Sequence, residues 1–193
     1  MRRISSKKDL NEFLNKELGT NSMPFFRRIL KYGELWLRGG EILPIWRYIY
    51  TLRHYEYYKN KKKTVLFDSI RKHYWRFEFR HLQIKYNIYI APNAISCGLK
   101  LTHAGYRGLP TFCEIGENCT MLPMVLIGKK EPGIKGKIII GNNCYISTGV
   151  TILGPITIGD NVTIGAGAVV TKDIPDNVIV AGVPAKIIKY KEL

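Results

Sequence analysis

Aliphatic residues at Ile140, Ile146, Ile152, Ile158, Ile164 and Val170 recur every six positions without a slip. That period is neither the 3.6 of a helix nor the 2 of a strand, and it predicts a solenoid of hexapeptides. Three hexapeptides close one triangular coil, so the aliphatic residues stack in ladders along the axis of a parallel β-helix. The same phase continues upstream through Ile115, Met121 and Ile127, with Ile95 and Leu101 as an earlier pair, so the array begins near residue 90.

Two irregularities interrupt the phase. Ile127 and Ile140 lie 13 residues apart, one more than two hexapeptides, and the polar, glycine-bearing stretch 129–138 between them predicts a loop expelled from the coil. Leu101 and Ile115 lie 14 apart, two more than the register allows, which predicts a smaller excursion over Gly105 to Thr111, beside His103. Gly116, Gly141, Gly159 and Gly165 each follow a ladder residue, where a corner is expected to need a backbone conformation that a Cβ would oppose. Asn142, Asn143, Asp160 and Asn161 suit the same corners. Two places before each ladder position stand Val150, Ile156, Val162 and Ala168, expected to point inward, and Cys113, Cys119 and Cys144 share that phase.

That phase decides how the four cysteines read. With no CxxC or His-rich spacing they make core hydrophobes rather than a zinc site, and no metal is expected. The absence of a signal peptide predicts a cytoplasmic chain without disulfides, with the inner face of the membrane as its alternative place.

Before residue 90 the pattern changes to helical punctuation. Asp9 to Leu18, Phe25 to Arg38, Ile45 to Lys59 and Thr64 to Tyr86 are predicted helices, broken by Pro24, Gly39–Gly40, Pro44 and the run Lys61 to Lys63. The last carries an apolar stripe of Leu66, Ile70, Tyr74, Phe77 and His81. Composition divides at the same place: residues 1 to 90 hold 20 Lys and Arg against 8 Asp and Glu, and the remainder 10 against 7. The chain of 193 residues is therefore expected to comprise a basic, aromatic-rich helical region at 1–88 and a β-helix at 89–193. No nucleic-acid motif accompanies the charge, and no apolar run approaches the roughly 18 residues of a membrane span. A helical cap on the open end of the solenoid is the favoured use of this region, with peripheral attachment of residues 1–88 to an anionic membrane as the other.

The ordered combination IGAGAVVTKDIP followed by AGVPAKII, within Ile156 to Lys189, resembles the closing coils and tail of the hexapeptide-repeat acyltransferases. The resemblance implies a left-handed β-helix, acetyl-CoA as acyl donor and a homotrimer with substrates held between neighbouring solenoids. Upstream, GLKLTHAG at Gly98 to Gly105 resembles the serine acetyltransferase branch and the O-acetyltransferases of bacterial capsule and surface-polysaccharide clusters, where a His in this position is the catalytic base. His103 is the implied base. Imidazole suits the task, because a base with a near-neutral pKa can take the acceptor hydroxyl's proton and return it to the departing thiolate.

Site residues carried over by the resemblance are Thr148 and Ala166 against the pantetheine arm, and Thr171, Lys172 and Lys186 near the nucleotide and its phosphates, with Lys129 and Lys130 of the expelled loop in support. Serine acetyltransferases pair their base with an Asp at the position where IYIAP has Tyr89, so the orienting carboxylate is left to Glu114 or to another subunit. The expectation is an acetyl-CoA-dependent O-acetyltransferase acting on a sugar hydroxyl of a bacterial surface polysaccharide or its precursor. Serine O-acetylation and a catalytically silent scaffold are the alternatives.

Overall fold

The computed structural model describes residues 2–19, 33, 42–62 and 65–192, and the chain divides into two compact units, residues 2–86 and 87–193. In the first unit α1 (Lys7–Leu18) opens on a reciprocal cap. The Ser6 hydroxyl accepts from the Asp9 amide, the Asp9 carboxylate accepts from the Ser6 amide, and Gly19 closes the helix in the left-handed conformation. The helices α2 (Ile42–Asn60) and α3 (Leu66–Tyr86) follow. The helix expected over 25–38 lies, apart from residue 33, outside the described residues.

Leu10, Phe13 and Leu14 of α1, Tyr48, Ile49 and Leu52 of α2, and Phe79 and Leu82 of α3 form the core of this unit. Inside it lies a charged cluster. Arg53, fully buried, donates to Glu17 at 2.5 Å and to Glu56 at 2.7 Å while its guanidinium stacks 4.9 Å from the Phe13 ring, tying α1 to α2. Breaking such a pair on one side leaves a buried charge uncompensated, at a cost of about 3–5 kcal/mol. The stripe on α3 faces outward: Leu66, Phe67, Ile70, Tyr74, Phe77 and Ile84 are all more than half exposed. Among the described residues no helix is long and apolar enough to cross a membrane.

Residues 87–193 wind into a left-handed parallel β-helix. Its first face stacks β1 (Ile88–Ile90), β3 (Arg107–Leu109), β6 (Val125–Lys129), β9 (Thr151–Gly154) and β12 (Val169–Val170). The second stacks β4 (Cys113–Ile115), β7 (Ile138–Ile140) and β10 (Ile156–Ile158), extended by bridges at Ile95 and Ile174. The third stacks β2 (Lys100–Leu101), β5 (Thr120–Met121), β8 (Tyr145–Ile146), β11 (Thr163–Ile164) and β13 (Val178–Ala181), and β14 (Lys186–Tyr190) pairs antiparallel on its end.

Each face buries one aliphatic ladder. Ile115, Ile140 and Ile158 stack in register on the second face, and Met121, Ile146, Ile164 and Val180 on the third. All are at most 1% exposed, each worth roughly 1.5–3 kcal/mol of burial. The residues assigned inward two places earlier, with Cys113, Cys119 and Cys144, are buried as well, and all four cysteines are free thiols.

The register corrects both counts of the interruptions. Ile127 belongs to the first face, pairing with Ile152, and Ile140 to the second, so only one hexapeptide separates them and the expelled loop carries seven extra residues rather than one. Leu109 pairs with Ile90 and is a ladder residue of the first face, six positions before Ile115, so the two extra residues fall between Leu101 and Leu109. The small excursion is therefore the His103 loop itself.

The corners differ from expectation too. Gly116, Gly141, Gly159 and Gly165 keep negative φ, and what they avoid is collision: a Cβ on Gly141 would lie 2.2 Å from Asp160 Oδ1 and 2.6 Å from the Gly159 carbonyl carbon. Left-handed backbone is carried instead by asparagines, with φ of 58° at Asn118, 55° at Asn143, 56° at Asn161 and 58° at Asn177. Their side chains cross-link successive coils, Asn161 Nδ2 donating to Asn177 Oδ1 at 2.9 Å.

Candidate functional site

The corner between the third and first faces is where the His103 loop leaves the coil. His103, Met124, Gly149 and Gly167 all adopt left-handed backbone there, with φ of 62°, 64°, 72° and 68°. Successive amides bond down the edge: Met124 to the Tyr106 carbonyl at 2.7 Å, Gly149 to that of Pro123 at 3.2 Å, and Gly167 to that of Thr148 at 2.9 Å. Thr148 and Ala166 therefore stand one above the other, both exposed, on the edge that carries the exposed His103 at an earlier coil. Thr148 is also pinned through its hydroxyl, which donates to the Pro123 carbonyl at 2.9 Å.

Arg107 sets the shape of the loop. Its side chain is fully buried beneath it, on an inward position of β3, and donates to the carbonyls of Thr102 at 2.5 Å, His103 at 2.8 Å, Gly105 at 3.0 Å and Met121 at 3.3 Å. One guanidinium fork thus gathers three successive bends of the loop and ties them to the coil below. Sequence reasoning did not single it out. The available signal was an arginine two residues before ladder residue Leu109, a phase that the coil reserves for small core side chains.

At the opposite edge of the first face stand Lys129, Lys130, Thr171 and Lys172, where β6 and β12 turn toward the second face. Lys130 is held by its amide to the Gly154 carbonyl, and the Lys129 ammonium turns back on its own loop, donating to the Ile134 carbonyl and lying 5.1 Å from the Phe112 ring centre. Lys172 is exposed and Thr171 half-buried. The Ala185 amide donates to the Val169 carbonyl at 2.8 Å, which brings the tail across β12 and starts Lys186 beside the strand that ends in Thr171 and Lys172. Glu114 sits on the second face and forms an ion pair with Lys137 at 2.6 Å.

Burial sets the acidity of the Cys113 thiol. Cys113 is pushed up to about 12, so it stays protonated at neutral pH. Among the described residues no group of three His, Cys, Asp or Glu side chains gathers to hold a metal ion.

Residues 137–172 match the family of bacterial transferase hexapeptide repeats (six repeats). The chain is similar to a serine acetyltransferase of Bacillus pumilus, 42% identical over 78 residues that cover 39% of this chain and 36% of the relative. It is also similar to a galactoside O-acetyltransferase of Escherichia coli strain K12, 41% identical over 103 residues, 53% of this chain and 41% of the relative. It therefore spans well under half of either curated relative.

Among solved structures, the serine acetyltransferase of Neisseria gonorrhoeae superposes with a TM-score of 0.57 at 29% identity, covering 79% of this chain and 55% of that one. A serine acetyltransferase in complex with CoA superposes with a TM-score of 0.52 at 25% identity, covering 76% and 55%. Repeat phase, coil geometry and these likenesses agree: residues 137–172 carry the repeat of the bacterial transferase hexapeptide family, within a coil similar to those of serine acetyltransferases.

Proposed function

We propose that the chain transfers an acetyl group from acetyl-CoA to a hydroxyl acceptor, with His103 as general base. The imidazole takes the hydroxyl proton as the oxygen attacks the thioester carbonyl; the tetrahedral intermediate collapses, the C–S bond breaks, and the imidazolium returns the proton to the CoA thiolate. The observation that carries this reading is the shared edge. His103 stands on an arginine-clamped loop at the same corner as Thr148 and Ala166, two coils before Thr148, where a pantetheine arm laid along the edge presents its thioester to the imidazole. Lys172 and Lys186, exposed where the tail crosses β12, meet the CoA phosphates; Lys129 is turned away into its own loop. A flat-sided coil offers no deep concavity, so acceptor and donor are held between neighbouring copies in a homotrimer.

Two acceptors are supported. L-serine is favoured by the names of the relatives and neighbours, most of which are serine acetyltransferases. A sugar hydroxyl, as in a surface polysaccharide or its precursor, is favoured by the galactoside O-acetyltransferase and by Tyr89, which stands where the serine acetyltransferase pattern has its carboxylate. The exposed apolar stripe of α3, flanked by Arg71, Lys72, Arg76, Arg80 and Lys85, supports a cytoplasmic enzyme resting on an anionic membrane surface.

Thiol release from acetyl-CoA, measured with L-serine and with a series of saccharides, tests the reading. Activity is expected with one of these acceptors and is expected to fall about 10²- to 10⁴-fold in His103→Ala while CoA affinity holds. Thiol release in neither series would leave a scaffold, and equal turnover in the variant would remove His103 from its role.

A further inference from the structure

The outer surface of the first face carries an aromatic pair beside the His103 loop that the proposed chemistry does not use. Tyr89 points outward from β1 and is 42% exposed, and its partner in register on β3 is Gly108. Over that glycine lies the ring of Tyr106: a Cβ at position 108 would sit 2.4 Å from the Tyr106 hydroxyl and 3.0 Å from its Cζ. The rings of Tyr89 and Tyr106 are 6.3 Å apart between centroids and inclined at 51°. A glycine in a strand interior costs order and packing, and here its missing side chain is what lets an aromatic ring lie down on the sheet. Tyr106 has its place fixed from both sides, because its carbonyl accepts from the Met124 amide and the next residue is the buried clamp Arg107. His103 stands three residues before it on the same clamped loop.

We propose that Tyr89 and Tyr106 form a shallow aromatic floor that receives the apolar C–H face of a pyranose ring, presenting one ring hydroxyl toward His103. The proposal rests on the acetyl-transfer reading for the identity of the reacting group and adds to it the class of acceptor. An aromatic floor offers a large, rigid apolar surface with a polar hydroxyl rim, which suits a ring that is apolar on its faces and polar at its edge. A small zwitterion such as L-serine has no such face and gains nothing from it.

Binding is separated from chemistry by using His103→Ala as the parent, without acetyl-CoA. Saturation-transfer NMR and calorimetric titration with methyl β-D-galactopyranoside, methyl α-D-glucopyranoside and L-serine then read the floor alone. Tyr89→Ala and Tyr106→Leu are expected to weaken pyranoside binding roughly tenfold, whereas Tyr89→Phe keeps it. L-serine binding is expected to be unchanged throughout. Gly108→Ala, which lifts the Tyr106 ring, is expected to reproduce the loss, and an unchanged circular dichroism spectrum and oligomeric state confirm that each variant is folded. Pyranoside binding in Tyr89→Ala and Tyr106→Leu equal to that of the parent, or binding of L-serine but of neither glycoside, overturns the floor. Loss of pyranoside binding in an enzyme whose thiol release is indifferent to His103 would keep the floor and remove the base; the reverse combination would keep the base and remove the floor.

Discussion

The buried guanidinium of Arg107 donates to the backbone carbonyl of the exposed residue His103 at 2.8 Å, and the same fork reaches the carbonyls of Thr102 and Gly105. A left-handed backbone at a non-glycine residue is costly unless its surroundings hold it, and this clamp supplies the hold at His103. Arg107→Lys keeps the charge but replaces a planar fork with a single ammonium, which cannot span the three bends. Turnover is expected to fall on the order of 10²-fold with little change in the KM for acetyl-CoA, since a misplaced base affects the chemical step and leaves the donor edge intact. Steady-state kinetics with acetyl-CoA varied at saturating acceptor separates the two constants.

The lysines divide by what they already touch. Lys172 and Lys186 are exposed near the crossing of the tail and β12, whereas the Lys129 ammonium is engaged with the Ile134 carbonyl and the Phe112 ring. If Lys186 meets a CoA phosphate as proposed, Lys186→Glu puts a repulsion there and is expected to raise the KM for acetyl-CoA about tenfold or more, leaving that for the acceptor in place. Lys129→Glu is expected to leave both constants nearly unchanged. The same kinetic series with 3′-dephospho-CoA thioester as donor checks which phosphate Lys186 meets, because the charge reversal then loses its effect if the 3′-phosphate is the partner.

How much of this was legible follows from the period. A spacing of six fixed which residues line each face, and the ladders Ile115–Ile140–Ile158 and Met121–Ile146–Ile164 run as that spacing requires. Face identity was not legible across an insertion, because a loop of seven residues plus one hexapeptide has the same length as two hexapeptides plus one, and only cross-strand pairing distinguishes them. Leu109 went unseen for a related reason: the two extra residues before it put it out of phase with Leu101. The corner glycines were found for the wrong cause, since stacked backbone rather than φ excludes their side chains. Arg53 could not be told from a surface charge, because Glu17 reaches it from another helix, and the phase that marks Arg107 was hidden with the ladder residue Leu109 that defines it.

The corner glycines give a contrast between collision and strain. Gly141 has ordinary φ but no room, its absent Cβ being 2.6 Å from backbone of the next coil, while Gly167 has φ of 68° and nothing within 4 Å. Gly141→Ala is expected to cost about 1–3 kcal/mol through displaced backbone, and its effect should extend to the next coil, whose Asp160 accepts from the Asn142 amide beside the substituted position. Gly167→Ala is expected to cost about 1–2 kcal/mol from the left-handed conformation alone. Gly167→Asn separates the causes: asparagine tolerates that conformation and should recover most of the loss, whereas Gly141→Asn should be no better than Gly141→Ala. Urea midpoints of the four variants measure the difference.

At the other end of the chain, folding changes the acidity of Asp9. The Ser6 hydroxyl, the Ser5 amide, the Ser5 hydroxyl and the Ser6 amide all donate to its carboxylate, which holds it well below its ordinary value of 3.8. A carboxyl lowered by folding binds fewer protons in the folded chain than in the unfolded one, so its stabilisation is present in full above 3.8 and is lost as pH falls through that value toward the lower folded one. Asp9→Asn keeps the size of the side chain and removes the charge, and at pH 7 it is expected to cost about 1 kcal/mol by weakening the reciprocal cap on α1. All three tryptophans lie between residues 2 and 86, so their fluorescence reports the helical unit in the full chain. Urea midpoints followed by that signal should differ between parent and Asp9→Asn at pH 7 and converge as the solution is taken below 3.8. Ser6→Ala, which removes the largest single contributor to the lowered acidity, should show the same convergence, and a gap that stayed constant from neutral to acid pH would mean that the cap is held by geometry without its charge.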